Sequence, residues 1–198
     1  VKKEIAFFDF DGTITTSDTF LDFIKFSKGK LGFYLGFLLH SPWLVAFKLK
    51  VISNQSAKEK ILKYYFGGMP ADEFGQLCRE FTERVVPRLI RPKALEEIKK
   101  YQQAGTAVVI VSASPENWIK HWADLLKVEL IASRLEIKDG RITGKIIGKN
   151  CRGPEKVRRI LEKYQVKDYE VIHAYGDTSG DLDMLKMATN QYFRPFRG

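Results

Sequence analysis

Asp9 and Asp11 stand two residues apart at the end of an apolar run, Ile5-Ala6-Phe7-Phe8, and Gly12 and Thr13 follow at once. Further along, the apolar residues 107–111 lead into Ser112, Ala113 and Ser114, and residues 171–175 lead into Gly176, Asp177 and then Asp181. Carboxylates drawn together repel one another and stay ionised only against a compensating cation. Their hard oxygens favour Mg2+, which keeps several waters and bridges to phosphate. Gly12 permits a sharp backbone turn, and amides beyond such a turn can hold phosphoryl oxygens. Taken singly, Asp18 or Asp181 could serve only as a helix cap. As a set at the ends of apolar runs, the acids describe a site.

These residues can meet only if the apolar runs lie side by side. Runs over 3–10, 107–111, 130–133 and 171–175 are expected to be strands, with Gly105 ending the helix before the second. Helical patterns lie over 92–103, 116–126, 154–164 and 181–188, and Pro154 suits a first helical turn. This alternation predicts an α/β fold, a Rossmann-like three-layer core around a parallel sheet, with its ligand site at the carboxyl ends of the strands. On a straight strand, Asp9 and Asp11 point to one face. Asp139-Gly140 between alternating residues signals a small β-hairpin. The interval 16–91 has helix signals, no convincing strand and a break at Gly67-Gly68. It is too long for a plain crossover and reads as an inserted helical cap, leaving 1–15 and 92–198 as the catalytic core.

A hydrophobic fraction of 44% with 13% aromatics excludes a disordered or collagen-like chain. Over 198 residues the formal charge is +9, which points to a negatively charged partner. Between Lys25 and Lys63 lie eight lysines and one acid, Glu59, so +7 of that charge sits in the expected cap. The lysines flank an apolar stretch instead of interleaving with arginines and polar readers, which disfavours nucleic acid. Cys78 and Cys151 form neither a disulfide framework nor a metal knuckle, and no secretory signal precedes the first strand, so a cytoplasmic location is expected. Cys151 reads as a packed thiol, and His40, His121 and His173, without ligand-type spacing, as structural or surface residues.

Asp9-Phe-Asp-Gly-Thr-Ile-Thr15 resembles the first motif of the haloacid dehalogenase superfamily, Val108-Val-Ile-Val-Ser112 the second, and Gly176-Asp-Thr-Ser-Gly-Asp181 the fourth. The insertion between the first two motifs, with the hairpin after Ala132, resembles the subgroup that includes phosphoserine phosphatase. The third motif is a lysine near a helix start. Lys156 in Gly153-Pro-Glu-Lys-Val157 is similar to it, with Lys149 and Arg152 as competitors. The resemblance implies a phosphatase with an aspartyl-phosphate intermediate. Asp9 is then the nucleophile and Asp11 the acid and base, while Asp9, Asp177 and the backbone carbonyl of Asp11 hold Mg2+. Ser112 and Lys156 stabilise the transferring phosphoryl group, and Asp181 orients the ligands. Phe10, Gly12, Asp18 and Ala113 join Ser112 and Lys156 as expected substrate-binding positions.

Two positions depart from the phosphoserine enzymes. Asp18 stands where they carry a glutamate that recognises an ammonium group, and Gly180 where they usually show an asparagine. Residues 31–47 form a 17-residue stretch without a charged side chain, flanked by Lys28, Lys30, Lys48 and Lys50. His40 and Pro42 interrupt it, and it is too short to read as a spanning helix. It is either a pair of buried cap helices or, with its lysines, a peripheral membrane-surface element. Ser114-Pro115, Leu130-Ile-Ala-Ser133 and Cys151-x-Gly-x-Glu-Lys156 resemble the bacterial phosphatidylglycerophosphate phosphatases of the same subgroup. Three readings follow: a phosphatase of a small soluble ester such as phosphoserine, one of a lipid headgroup phosphate, or a weakly catalytic or non-catalytic membrane-surface protein. Asp11 beside Asp9 argues against the third, because mere binding needs no proton donor there. The oligomeric state is left open.

Overall fold

The computed structural model describes residues 3–49 and 51–197, apart from the side chains of 44, 46 and 47. Lys50 of the basic flank and residues 1 and 2 of the N-terminal reading therefore lie outside the described residues. The strands are β1 (Glu4–Phe8), β2 (Ala107–Pro115), β3 (Glu129–Ser133), β4 (Leu135–Lys138), β5 (Arg141–Ile146), β6 (Val171–Gly176) and β7 (Asn190–Phe193). Five of them form a parallel sheet in the order β3-β2-β1-β6-β7, and β4 and β5 pair as a separate antiparallel hairpin.

The central strands carry apolar side chains on both faces because both faces are covered. Ala6 and Phe8 of β1, with Val108 and Ile110 of β2, join one buried cluster, while Ile5, Phe7, Val109 and Val111 join another on the opposite face. The first cluster takes in Ala94 and Ile98 of α6 (Pro92–Gln103) and Trp122 and Ala123 of α7 (Lys120–Leu125). The second takes in Ile160 of α8 (Pro154–Lys163) and Met184 and Leu185 of α9 (Leu182–Met187). The result is the expected three-layer α/β architecture.

Between β1 and β2 lie α1 (Thr19–Leu39), α2 (Ser41–Lys48), α3 (Asn54–Phe66), α4 (Ala71–Arg84) and the single turn α5 (Val86–Leu89). Phe66 of α3 and Phe74 and Phe81 of α4 are buried around Phe23 of α1, which stacks on Trp118, and all belong to the same cluster as the sheet face. Each such side chain contributes roughly 1.5–3 kcal/mol on burial, so the inserted helices are held by the core they cover. The hairpin stitches them from the far side: Ile146 N–H donates to Glu59 (3.0 Å), and Ala71 N–H to the Gly140 carbonyl (2.8 Å).

Three local departures from the sequence reading have simple causes. The strand expected over 3–10 stops at Phe8, because Asp9 to Ile14 turn on Gly12 at φ +78°. The helix expected over 116–126 breaks into a short turn, Glu116–Trp118, and α7, with Ile119 between them. The sheet gains β7, a largely exposed edge strand whose residues Asn-Gln-Tyr-Phe show no apolar alternation. The apolar stretch 31–47 departs from the buried reading over its described side chains. Gly29, at φ +69°, kinks α1, and beyond it Phe33 and Gly36 turn inward while Leu31, Tyr34, Leu35, Leu38, Leu39, Trp43 and Val45 are exposed. A buried helix pair is therefore not what forms.

Candidate active site

Strand pairing brings the chemistry together. Phe8 of β1 lies opposite Ile110 of β2 and Tyr175 of β6, so Asp9, Ser112 and Asp177 all sit just past one line across the sheet. Asp9 and Asp11 border the same cavity, but through the turn and not through strand alternation. Glycine is required at position 12: the backbone is left-handed there, and a Cβ would lie 2.4 Å from Asp177 Oδ2.

Lys156, in the first turn of α8, is the hinge of the charge arrangement. Its ammonium is buried and donates to Asp9 Oδ1 (2.6 Å), Asp181 Oδ1 (2.8 Å) and the Val111 carbonyl (2.6 Å). Lys149 is exposed, and Arg152 instead reaches Ser179 (3.1 Å), so of the three candidates Lys156 is the one at Asp9. Burial works against the charged ammonium, yet attraction to Asp9 and Asp181 outweighs it and raises the Lys156 pKa. Burial pushes the Asp9 carboxyl up to about 8 despite Lys156, and repulsion from Asp181 and Asp11 adds to it. Burial and Asp181 likewise raise Asp177, against the pull of Arg197, which donates to Asp177 Oδ2 (2.6 Å). Burial opposes ionisation of Asp181 as well, but Lys156 and hydrogen bonds from Thr178 hold its pKa below the ordinary value.

Asp9, Asp177 and Asp181 each offer an oxygen within 4.8 Å of the others, forming a buried acidic cluster. With all three ionised, the carboxylates beside one ammonium and one guanidinium leave an excess of negative charge, and an all-oxygen donor set suits a hard divalent cation. Asp181 thus belongs to the same cluster as the two acids expected to be ligands.

Asp11 is held by the start of α1. One carboxylate oxygen accepts the Thr19 amide (2.7 Å) and hydroxyl, and the other accepts the Ser112 hydroxyl (3.2 Å). Thr19 is in turn fixed by the indole N–H of Trp118 (3.1 Å). Ser112 itself is fully buried and does not line the cavity; its hydroxyl serves Asp11 and the Ser114 amide (3.0 Å). The ring of Phe10 packs into the core against Trp122, and its carbonyl accepts from Thr15, so Phe10 presents no side chain to the cavity. Gly12, Asp18 and Ala113 do line it.

The cavity, of about 430 Å3, has this acidic floor and a wall of Phe20, Leu21, Phe37, Ala57 and Ile61. Besides Lys156 at the floor, its cations are Lys58, Arg152 and Arg197. Asp18 caps α1, accepting the amides of Phe20 (3.0 Å) and Leu21 (3.4 Å). Burial raises its pKa, Asp11 adds to the rise and Lys58 opposes it. Lys58 crosses from α3 to donate to the Ala113 carbonyl (3.1 Å), and burial lowers its pKa against the attraction of Asp18 and Asp11. Sequence reasoning missed Lys58 and Arg197 as cavity residues and saw Arg152 only as a rival to Lys156. The concentration of lysine in the cap was a signal for Lys58, whereas nothing local marks Arg197. Gly180 is small for a visible reason: a Cβ there would lie 2.7 Å from the Arg152 guanidinium.

The family model for haloacid dehalogenase-like hydrolases matches residues 6–186. The chain belongs to this family. Protein CicA of Caulobacter vibrioides is 37% identical over 195 residues, covering 96% of this chain and 86% of that one. The phosphoserine phosphatase of Methanocaldococcus jannaschii is 25% identical over 193 residues, covering 94% and 83%. Among solved structures, a protein with unknown function from Bordetella pertussis Tohama I superposes with a TM-score of 0.84 at 21% identity, over 96% of this chain and 88% of that one. The chain is thus a haloacid dehalogenase-like hydrolase, similar in sequence to a phosphoserine phosphatase.

Proposed function

We propose that the protein is a Mg2+-dependent phosphomonoesterase that works through phosphorylation of Asp9, with a phosphate on a lipid headgroup as its substrate. The observation that carries the catalytic reading is the pairing at the cavity floor: Asp9 bound by Lys156, with Asp11 anchored beside it by Thr19 and Ser112. An Asp9 oxygen attacks phosphorus as the bond to the ester oxygen breaks, and Asp11 gives that oxygen its proton. Water then attacks the phosphorus of the phosphoaspartate, Asp11 takes a proton from it, and the Asp9 carboxylate is released with inorganic phosphate. Lys156 offsets negative charge at Asp9, and Ser112 holds Asp11 in place. Asp9 and Asp177, with the Asp11 carbonyl and Asp181 nearby, would hold Mg2+, which supplies charge neutralisation for the phosphoryl oxygens.

The helices of 16–91, read as a cap over a core of 1–15 and 92–198, would select the substrate. The basic cavity wall supports an ester with further negative charge, and Phe37, Phe20 and Ile61 support one with an apolar body. Phosphoserine is the second reading, favoured by kinship. Against it, Asp18 already caps α1 and lies beside Lys58, which repels a substrate ammonium.

The purified protein is expected to hydrolyse an aryl phosphate with Mg2+, and Asp9→Asn to abolish turnover with its circular dichroism unchanged. Equal activity in that variant, or in excess chelator, overturns the mechanism. A substrate panel containing phosphoserine and a phosphatidylglycerophosphate-type lipid then separates the two substrate readings.

A further inference from the structure

We propose that the outward face of α1 beyond Gly29, continued by α2, is a docking surface for an anionic lipid bilayer. Leu31, Tyr34, Leu35, Leu38 and Leu39 recur at the three- and four-residue spacing of one helical face, and each is at least half exposed. Trp43, Val45, Leu49 and Val51 extend the patch. Helices with apolar residues all round are ordinarily buried in a core or in lipid, and here one side has a core and the other has none.

The face is a fixed platform. Behind it the Tyr65 hydroxyl donates to the Phe33 carbonyl (2.8 Å), and Gly36 lets α1 approach so closely that a Cβ would meet that hydroxyl at 2.0 Å.

Charge selects the occupant. Lys30, Lys48, Lys60 and Lys63 are exposed around the patch, and the Lys60 ammonium lies 3.5 Å from the centre of the Trp43 ring. Glu59, the one acid between Lys25 and Lys63, is turned away, accepting from Gln55 (3.0 Å) and the Ile146 amide (3.0 Å). A second copy related by a twofold axis would set this lysine rim against itself, whereas anionic headgroups complement it while the leucines enter the acyl boundary. Among the described residues no helix is long and apolar enough to cross a membrane, so the contact is interfacial. Phe37, on the inner side of the same helix, lines the catalytic cavity, so the docking face and the cavity lie on either side of one helix. As a means of presenting substrate, this surface rests on the lipid-phosphate reading above.

The test is co-sedimentation of the full chain with phosphatidylcholine vesicles and with vesicles containing about a third phosphatidylglycerol. The protein is expected to sediment with the anionic vesicles alone and to be released by salt. Leu38→Glu with Leu39→Glu should weaken that binding by about tenfold or more while aryl phosphate hydrolysis stays unchanged. Equal sedimentation with both vesicle types, or of variant and wild type, overturns the proposal. So does a dimer in light scattering that the double variant dissolves without any vesicle binding. Loss of phosphatase activity with sedimentation intact overturns the catalytic reading and leaves the docking surface standing.

Discussion

Replacing Lys156 with methionine removes one ammonium and leaves the volume of the side chain nearly unchanged. It strands two buried carboxylates, Asp9 and Asp181, whose oxygens lie within 4.8 Å. At an effective dielectric of about 20 and that separation, the unmasked repulsion is about 3.5 kcal/mol where both are ionised, which the Asp9 pKa of about 8 places on the alkaline side of neutrality. Measured costs of removing one partner from a buried pair, about 3–5 kcal/mol, agree with that figure. For a chain of this length the melting temperature should therefore fall by roughly 6–20 °C. The loss should also depend on pH. In the wild type Asp181 has a depressed pKa, so its contribution is present above its unfolded value and fades as pH falls through the folded one. Without Lys156, burial raises Asp181 as it already raises Asp9, and protonation relieves the strain. The gap between the two melting temperatures should thus narrow as pH falls from about 8 to about 5. The assay is thermal unfolding in chelator, so that no cation replaces the ammonium, with Asp9→Asn and the double variant completing a cycle. A stability loss below about 1 kcal/mol, or a melting-temperature gap that widens in acid, would refute the account of Lys156 as the charge that holds this floor together.

Gly12→Ala forces a side chain into a left-handed turn and onto Asp177, so turnover should fall about 100-fold for a displacement near 1 Å, with a stability loss of about 1 kcal/mol or more; steady-state kinetics and chemical unfolding read the two. Lys58→Ala should raise KM about tenfold or more for an ester with a second anionic group, with little change in kcat and no such penalty for a simple aryl phosphate that lacks one; equal effects on both substrates would remove Lys58 from substrate choice. Arg158 and then Arg159, against burial, hold Glu155 at about 2. Its stabilisation is therefore present above the unfolded pKa near 4.5 and lost as pH falls toward 2. Glu155→Gln should cost about 1 kcal/mol at neutral pH, given the exposure of Arg158, and nothing near the acid limit in urea titrations.

The order of strands and helices was readable because apolar periodicity is a local property that survives in the linear chain. Strands β1, β2, β3 and β6, the Asp139-Gly140 hairpin and the helices at Pro92 and Pro154 all carry their signals within a few residues. The acids were readable for a related reason: a strand end followed by Gly12 or preceded by Gly176 marks where a parallel sheet opens to solvent. Strand β7 was not, because an edge strand needs only one hydrogen-bonded neighbour and no apolar face.

What local signals could not carry is partnership at a distance. That Lys156 bonds Asp9 across 147 residues, that Lys58 crosses from α3 to Ala113, and that Arg197 meets Asp177 depend on where whole elements pack. The stretch from Leu31 to Phe47 shows the same division. Composition marked it as apolar and ringed by lysines, but whether such a helix is buried depends on how much surface the neighbouring elements have left to cover it. Tyr64 and Tyr65 cover one side, and the side bearing Leu31, Leu35 and Leu38 faces outward. Residue chemistry follows from covalent identity and is written in the chain; burial and charge pairing are properties of the packed whole.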